Sequence, residues 1–150
     1  MKLASSLFIV FALLITGGDS QPPQSRELRI GLIAPISGQI PEVGQATIEA
    51  AELAVREVND RGGLIIDNKH YHVALLIEDN QDNAEQTISA ALRLINQQNV
   101  SAIIGPQASR NAIPAARYAE FAQIPMLSPW STNPETTRNK NWVYSIAFDD

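Results

Sequence analysis

The sequence predicts an α/β fold built on a doubly wound parallel sheet. Three observations lead to this prediction: strand-like and helix-like segments alternate along the chain, the strand segments are mostly unbroken apolar runs, and two helix segments have alanine-rich faces. Parallel neighbours need a long crossover, which an α-helix supplies, and such crossovers are right-handed. Alanine faces then allow the helices to pack closely against the sheet.

The first strand and helix follow a short polar segment. Residues 28–34 (LRIGLIA) predict a buried strand, and residues 44–60 carry apolar side chains at the spacing of one helical face. Gly62 and Gly63 end this helix. The side chains expected to face the sheet are Ala46, Ala50, Leu53, Ala54 and Val58.

The second strand is predicted at residues 71–77 (YHVALLI). Asp82, with Glu85 three residues later, resembles a helix-capping pair. The apolar side chains of the helix that follows are Ala84, Ile88, Ala91, Leu92 and Ile95. Glu78, Asp79 and Asp82 do not have the spacing of a calcium-binding loop, so we interpret them as a solvated turn and a helix start.

Three further strands and one helix complete the alternation. Residues 100–104 predict the third strand, residues 109–123 a helix and residues 124–127 the fourth strand. The helix has an inward face of alanines, at Ala112, Ala115, Ala116, Ala119 and Ala122. Residues 142–148 (WVYSIAF) have the alternating pattern of a fifth strand.

The first twenty residues are typical of a cleaved secretory signal peptide. Lys2 provides a positive start, Leu7–Ile15 is an unbroken apolar run, and small residues follow it. This run is shorter than the about 20 residues that a membrane span needs, and the alternative is an uncleaved N-terminal anchor. We expect residues 21–27 to form a flexible lead and residues 28–150 a folded lobe. The protein is therefore expected in the periplasm or outside the cell, with no stable membrane insertion after cleavage.

Composition and motifs argue against several classes of function. The net charge is −5, from 16 acidic and 11 basic residues, and cysteine is absent, so neither a nucleic-acid surface nor a disulfide is expected. The phosphate-loop, dinucleotide-binding and nucleophile-elbow motifs are absent from the sequence. His70 and His72 have no third ligand nearby, so we expect no metal and no cofactor. These observations favour a binding protein over an enzyme.

Ligands of doubly wound sheets bind beyond the carboxyl ends of the strands, where the strand order reverses. Three predicted loops meet there, at residues 35–43, 105–109 and 129–134. In the first of them, a Ser-Gly pair lets the chain turn close to a ligand. The sequence therefore places a small-molecule site between these loops.

The residues of the second and third loops indicate the chemistry of the ligand. Ser109 begins a helix, where its hydroxyl can cap free amides or join them in holding an anion such as a carboxylate. Thr132 offers a hydroxyl and an N–H group, and Trp130 offers a carbonyl and a large apolar surface. Each residue also has a purely structural interpretation: Ser109 as a helix cap, residues 128–134 (SPWSTNP) as a surface loop, and Trp130 as the cover of a domain edge.

Five stretches, spread over residues 28–150, carry a family resemblance. They read RIGLIAPISGQIPEVGQ, AAELAVREVNDRGG, IEDNQDNAEQTISAALRLI, IIGPQASRNAIPAARYAE and IPMLSPWSTNPETT. In this order they resemble the leucine/isoleucine/valine-binding protein family, the type 1 periplasmic substrate-binding proteins of branched-chain amino acid ABC transporters. The resemblance implies two flavodoxin-like lobes that close on an amino acid, or a related amide, and deliver it to a membrane permease without catalysis.

The resemblance also implies roles for single residues. By motif position, Ser109 is similar to the family's carboxylate-binding serine, and Thr132 to the threonine that binds the charged ends of the ligand. Trp130 stands where the family has a small residue whose carbonyl receives the ammonium group. Val43 stands where the family often has an aromatic side wall. Ser131, within the same stretch, completes the expected ligand contacts.

The family has a second lobe of similar size, which this sequence lacks. We therefore expect an incomplete N-terminal lobe that holds half of a binding cleft. Two other classes of function stay open: the extracellular ligand-binding domain of a receptor or sensor, and a secreted enzyme on a flavodoxin-like sheet. A transmembrane helix after residue 150 would indicate the receptor, whereas turnover of the ligand would indicate the enzyme.

Overall fold

A six-stranded sheet runs through the structure, a computed structural model that describes residues 26–148. The strands are β1 (Arg26–Ala34), β2 (Leu64–Ile66), β3 (Lys69–Asp79), β4 (Ala102–Ile104), β5 (Met126–Ser128) and β6 (Val143–Ser145). The helices are α1 (Pro41–Asp60), α2 (Ala84–Asn96) and α3 (Ser109–Ala122), and a single 3-10 turn spans Pro134–Thr136. The predicted signal peptide and most of the predicted lead lie outside the described residues.

The strand order β2-β3-β1-β4-β5-β6 confirms the predicted fold class. The five strands from β3 to β6 in this order are parallel, with Leu28 of β1 opposite Val73 and Leu32 opposite Ile104. The chain passes from β1 to β3 on one side and then returns to β4 on the other side of β1. The strand order therefore reverses between β1 and β4, and a ligand crevice is expected beyond their carboxyl ends.

The antiparallel strand β2 was not predicted from the sequence. It forms a hairpin with β3 in which Leu64 lies opposite Tyr71. The two turn residues, Asp67 and Asn68, have φ angles of 49° and 58°, and Asp and Asn tolerate this left-handed region better than most residues. The sequence signal for this hairpin was an Asp-Asn pair after a short apolar run. The run is too short to show the alternation that is typical of a strand.

Several element boundaries differ from the predictions. Strand β1 begins at Arg26, opposite Tyr71, so Arg26 and Glu27 belong to the sheet and not to the lead. Helix α1 begins at Pro41, three residues early, because proline is well suited to the first helical turn. The cap of α2 is Asn83, whose side-chain oxygen accepts hydrogen bonds from the amides of the first turn, so the predicted Asp82 cap is wrong.

The two faces of the sheet are covered unequally by the described chain. Helices α2 and α3 bury one face, and the side chains of this core include Ile33, Ala91, Leu94, Ile103, Ala112, Ala116, Met126 and Val143. On the opposite face lies α1, and Gly44 is its only buried residue. The predicted inward face of α1 is largely wrong, because Ala46, Ala50, Leu53 and Ala54 are exposed. The apolar stripe of α1 is wider than its contact with the sheet, so one flank stays uncovered.

Across residues 26–148, none of the helices combines the length and the hydropathy that crossing a membrane requires.

Candidate functional site

The loop after β1 is held in place by a carboxylate at the end of β3. Asp79 Oδ1 accepts hydrogen bonds from the amides of Ile36, Ser37 and Gln81, at 3.0, 3.3 and 2.8 Å. Ser37 Oγ donates to Asp79 Oδ2 at 2.6 Å. The interpretation of Asp79 as part of a solvated turn is therefore wrong, because its carboxylate organises the first loop of the crevice.

We expect the hydrogen-bonded Asp79 carboxylate to make the free energy of unfolding depend on pH in the acidic range. Burial alone would raise the pKa of Asp79, but the hydrogen bonds from Ser37, Gln81 and Ile36 together lower it below the usual value. The charged form is therefore stabilised by folding above pH about 4, and this contribution is lost as the pH falls through the folded pKa. In urea unfolding, Asp79→Asn should be less stable than the wild type at pH 7, and the difference should shrink towards pH 3.

The control is the exposed Glu57→Gln on α1, for which the difference from the wild type should stay small at every pH. A constant gap between Asp79→Asn and the wild type from pH 7 to 3 would contradict the anchor role of the ionised carboxylate.

A second carboxylate, Asp82, links the end of β3 to the start of α3. Its side chain is 2% exposed, pairs with Arg110 and accepts a hydrogen bond from Asn111 Nδ2 at 2.9 Å. Asp82 was predicted to cap α2 and to lie in a solvated turn. It instead fixes the first turn of α3 against the loop after β3.

Hydroxyl groups connect the start of α3 with the loop after β5. Ser131 is 1% exposed, and its Oγ lies 3.0 Å from Ser109 Oγ and in hydrogen-bond contact with Thr136 Oγ1. Ser128 Oγ donates to the carbonyl of Pro106 at 3.1 Å, which joins the end of β5 to the loop after β4. The structure thus brings two predicted site residues, Ser109 and Ser131, into direct contact.

Ser109 is not the cap of α3. Ala108 occupies the capping position, and no side chain accepts a hydrogen bond there. The first amides of a helix have no intrahelical partner, and the first turn of α3 contains no acidic residue. The start of α3 therefore presents amide N–H groups and the positive end of the helix dipole beside the Ser109 hydroxyl.

An open, largely apolar cleft of about 610 Å³ lies along the uncovered flank of α1. Its walls include Val43, Thr47 and Ala50 of α1, Ile104 of β4, and Trp130. The structure therefore places two more predicted site residues, Val43 and Trp130, on one cleft. The side chain of Trp130 is 58% exposed, so it forms a rim and does not fill the cleft.

Gln107, in the loop after β4, contacts the wall of the cleft. It is 2% exposed, and its Nε2 donates to Oγ1 of Thr47, a cleft residue, at 3.0 Å. Thr132, the fifth predicted site residue, is half-buried and directly follows Ser131. The ligand roles of all five residues stay predictions, whereas Thr136, Gln107 and Asp79 were missed by sequence reasoning. Their signal was weak, because isolated Thr, Gln and Asp residues in loops are common.

Among residues 26–148, no group of three or more His, Cys, Asp or Glu side chains is placed to hold a metal ion.

Comparison with known proteins gives consistent matches over this region. The sequence profile of the family described as "Periplasmic binding protein" matches residues 27–150. The Leu/Ile/Val-binding protein BraC3 of Rhizobium johnstonii is 28% identical over 93% of this chain and 37% of its own length. The Leu/Ile/Val-binding protein homolog 7 of Brucella abortus is 31% identical over 77% of this chain and 28% of its own length.

Solved structures agree with this assignment. The branched-chain amino acid transporter substrate-binding protein LivJ of Streptococcus pneumoniae, in complex with isoleucine, superposes with a TM-score of 0.76 and 30% identity, over 83% of this chain and 34% of that one. The leucine-binding protein LivK of Thermotoga maritima superposes with a TM-score of 0.70 and 28% identity, over 82% and 33%. The chain thus spans about a third of the length of these relatives. Fold, motif order and sequence match agree, and the chain belongs to the periplasmic binding protein family.

Proposed function

We propose that this protein binds an amino acid with an apolar side chain and delivers it to the membrane permease of an ABC transporter. The observation that carries the proposal is the position of Ser109. Its hydroxyl and the first amides of α3 follow β4 at the strand-order reversal, and Gln107 in the loop between them contacts Thr47 of the apolar cleft. A group that favours anions beside an apolar wall suits a molecule with one charged and one apolar end.

The two charged ends of the ligand have different partners in this proposal. The α-carboxylate binds at the start of α3, where Ser109 and the helix amides donate hydrogen bonds. The α-ammonium binds the carbonyl oxygen of Trp130, which is present whatever the side chain, and Thr132 contributes its hydroxyl and amide. The side chain of the ligand extends towards Val43 and the rim formed by Trp130.

The relatives support the chemical class of the ligand. LivJ of Streptococcus pneumoniae is described with bound isoleucine, and a substrate-binding protein of Desulfitobacterium hafniense, 29% identical to this chain, with leucine. Val43 and the large Trp130 both border the expected side-chain pocket, so the preferred side chain is proposed only as apolar. Export to the periplasm and the permease partner follow from the family, and both are part of the proposal.

Calorimetric titration of the full-length protein with L-isoleucine tests the proposal. We expect saturable binding with a stoichiometry of one and an unchanged ligand after release. Isoleucinol, which keeps the ammonium group and side chain but lacks the carboxylate, should bind at least about tenfold more weakly, since a hydrogen bond to a charged group contributes about 1.5 to 3 kcal/mol. Absence of binding for isoleucine, leucine, valine and phenylalanine, or chemical conversion of any of them, would contradict the proposal.

A further inference from the structure

Three hydroxyl groups form a line that ends at the candidate site. Thr136 is 0% exposed and contacts Ser131, which is 1% exposed and lies 3.0 Å from Ser109 Oγ. Only Ser109, the last of the three, is partly accessible. The two buried hydroxyls therefore have each other and Ser109, and not bulk solvent, as hydrogen-bond partners.

The number of hydroxyl hydrogens determines which residue donates in each hydrogen bond of this line. Each hydroxyl carries one hydrogen to donate and can accept through its lone pairs. The geometry has Ser131 donating to Ser109, so the hydrogen between Thr136 and Ser131 must come from Thr136. In the opposite direction Thr136 would have to donate elsewhere, and a buried donor without an acceptor is costly.

The backbone at Ser131 and the turn that contains Thr136 are each held by a further hydrogen bond. Ser145 Oγ of β6 donates to the carbonyl of Ser131 at 3.1 Å. Thr136 lies in the 3-10 turn, which Asn133 caps by accepting the amide of Glu135 at 2.9 Å. Hydrogen bonds with neighbouring residues thus hold the backbone that carries the two buried hydroxyls.

We propose that Ser131 and Thr136 are positioning residues that fix Ser109 as a hydrogen-bond donor towards the ligand. Ser109 Oγ accepts the hydrogen bond from Ser131, and its own hydrogen is left to point into the crevice. A fixed donor binds a carboxylate, which has only acceptors, better than a carboxamide, which also carries an NH₂ group. The inference rests on the proposed function and assigns Ser131 a role behind the site in place of direct ligand contact.

Substitutions at Thr136 test the inference through selectivity. Thr136→Val keeps the shape of the side chain but removes its hydrogen, so Ser131 and Ser109 can adopt either direction. We expect the ratio of the affinities for L-isoleucine and L-isoleucinamide to fall about fivefold in this variant, the worth of one ordinary hydrogen bond. Thr136→Ser restores the hydroxyl and should restore the ratio.

The ratio separates positioning from simple destabilisation. A general loosening of the site weakens both ligands alike and leaves the ratio unchanged, and that result would overturn the inference. Urea unfolding of both variants shows whether they fold. If Thr136→Val does not fold, the proton order in the ligand-free protein decides the matter. If the affinity ratio of Thr136→Ser is as low as that of Thr136→Val, that result would also overturn the inference.

Nuclear magnetic resonance of the ligand-free protein tests the proton order without any binding. Buried hydroxyl protons exchange slowly at low temperature, and we expect the Thr136 hydroxyl proton to show an Overhauser contact with the β protons of Ser131. The Ser131 hydroxyl proton should in turn contact the β protons of Ser109. The reverse pattern would overturn the inference even if isoleucine binds. Failure of isoleucine to bind, with the expected pattern present, would contradict the proposed function alone.

Discussion

Replacing Ser109 with alanine is expected to weaken the binding of L-isoleucine by about 1 to 3 kcal/mol, or roughly 5- to 150-fold. The substitution removes the hydroxyl that donates to the carboxylate and leaves the helix amides in place. It also removes the acceptor of the Ser131 hydroxyl, which is buried. Calorimetric titration measures the change, and Thr132→Ala should weaken binding by a similar amount.

The matched control is Ser89→Ala on α2. Ser89 is also a helical serine whose hydroxyl donates within the protein, to the carbonyl of Glu85 at 3.0 Å, but it is exposed and lies outside the crevice. Its substitution should leave the affinity for isoleucine unchanged. Unchanged affinity in both Ser109→Ala and Thr132→Ala would show that the carboxylate binds elsewhere.

The topology of the sheet was predictable because its signals are local and strong. Runs such as residues 28–34 are apolar at nearly every position, and a strand buried on both faces needs this pattern. The alternation with helices then restricts the connections to parallel crossovers. The hairpin at β2 has neither signal, since three exposed apolar residues and a two-residue turn resemble a loop.

Periodicity did not predict how much of each helix is buried against the sheet. The apolar stripe of α1 gives the expected helix, but periodicity does not show how much of the sheet lies beneath it. Helix α3 has a similar alanine face, and there Ala112, Ala115, Ala116 and Ala119 are buried as predicted. The difference lies in the tertiary surroundings, because α3 packs against both α2 and the sheet, whereas α1 has an open flank.

The grouping of the predicted loop residues followed from the sequence, but the bonds between the loops did not. The strand-order reversal directs attention to the loops at one edge of the sheet, and the structure brings Ser109 to Ser131 and Val43 to Trp130. Two side chains that hold these loops gave only a weak signal in the sequence. Asp79 is distant in sequence from the loop that it binds, and Thr136 lies in a turn without periodicity. Only the folded chain shows that their side chains meet.

Gly105→Ala is expected to be strongly destabilising. Gly105 ends β4 with a φ angle of 90°, and an added Cβ would lie 2.3 Å from the carbonyl oxygen of Ile33 in the neighbouring strand. The unfavourable φ costs about 1 to 3 kcal/mol, and displacing packed neighbours costs typically another 1 to 3 kcal/mol. We expect the free energy of unfolding, measured in urea, to fall by about 3 kcal/mol or more. Because Gly105 leads directly into the loop before Ser109, folded protein should also bind isoleucine more weakly.

Gly62→Ala separates the two causes. Gly62 has almost the same φ angle, 94°, but the nearest atom to its added Cβ is a ring nitrogen of His70 at 4.0 Å. This variant therefore carries the conformational cost without the steric one and should lose about 1 to 2 kcal/mol, with no change in affinity, since the turn after α1 lies outside the crevice. Equal losses in the two variants would mean that β1 and β4 can separate without cost, and the close contact between these strands would then not be what holds the loops of the site together.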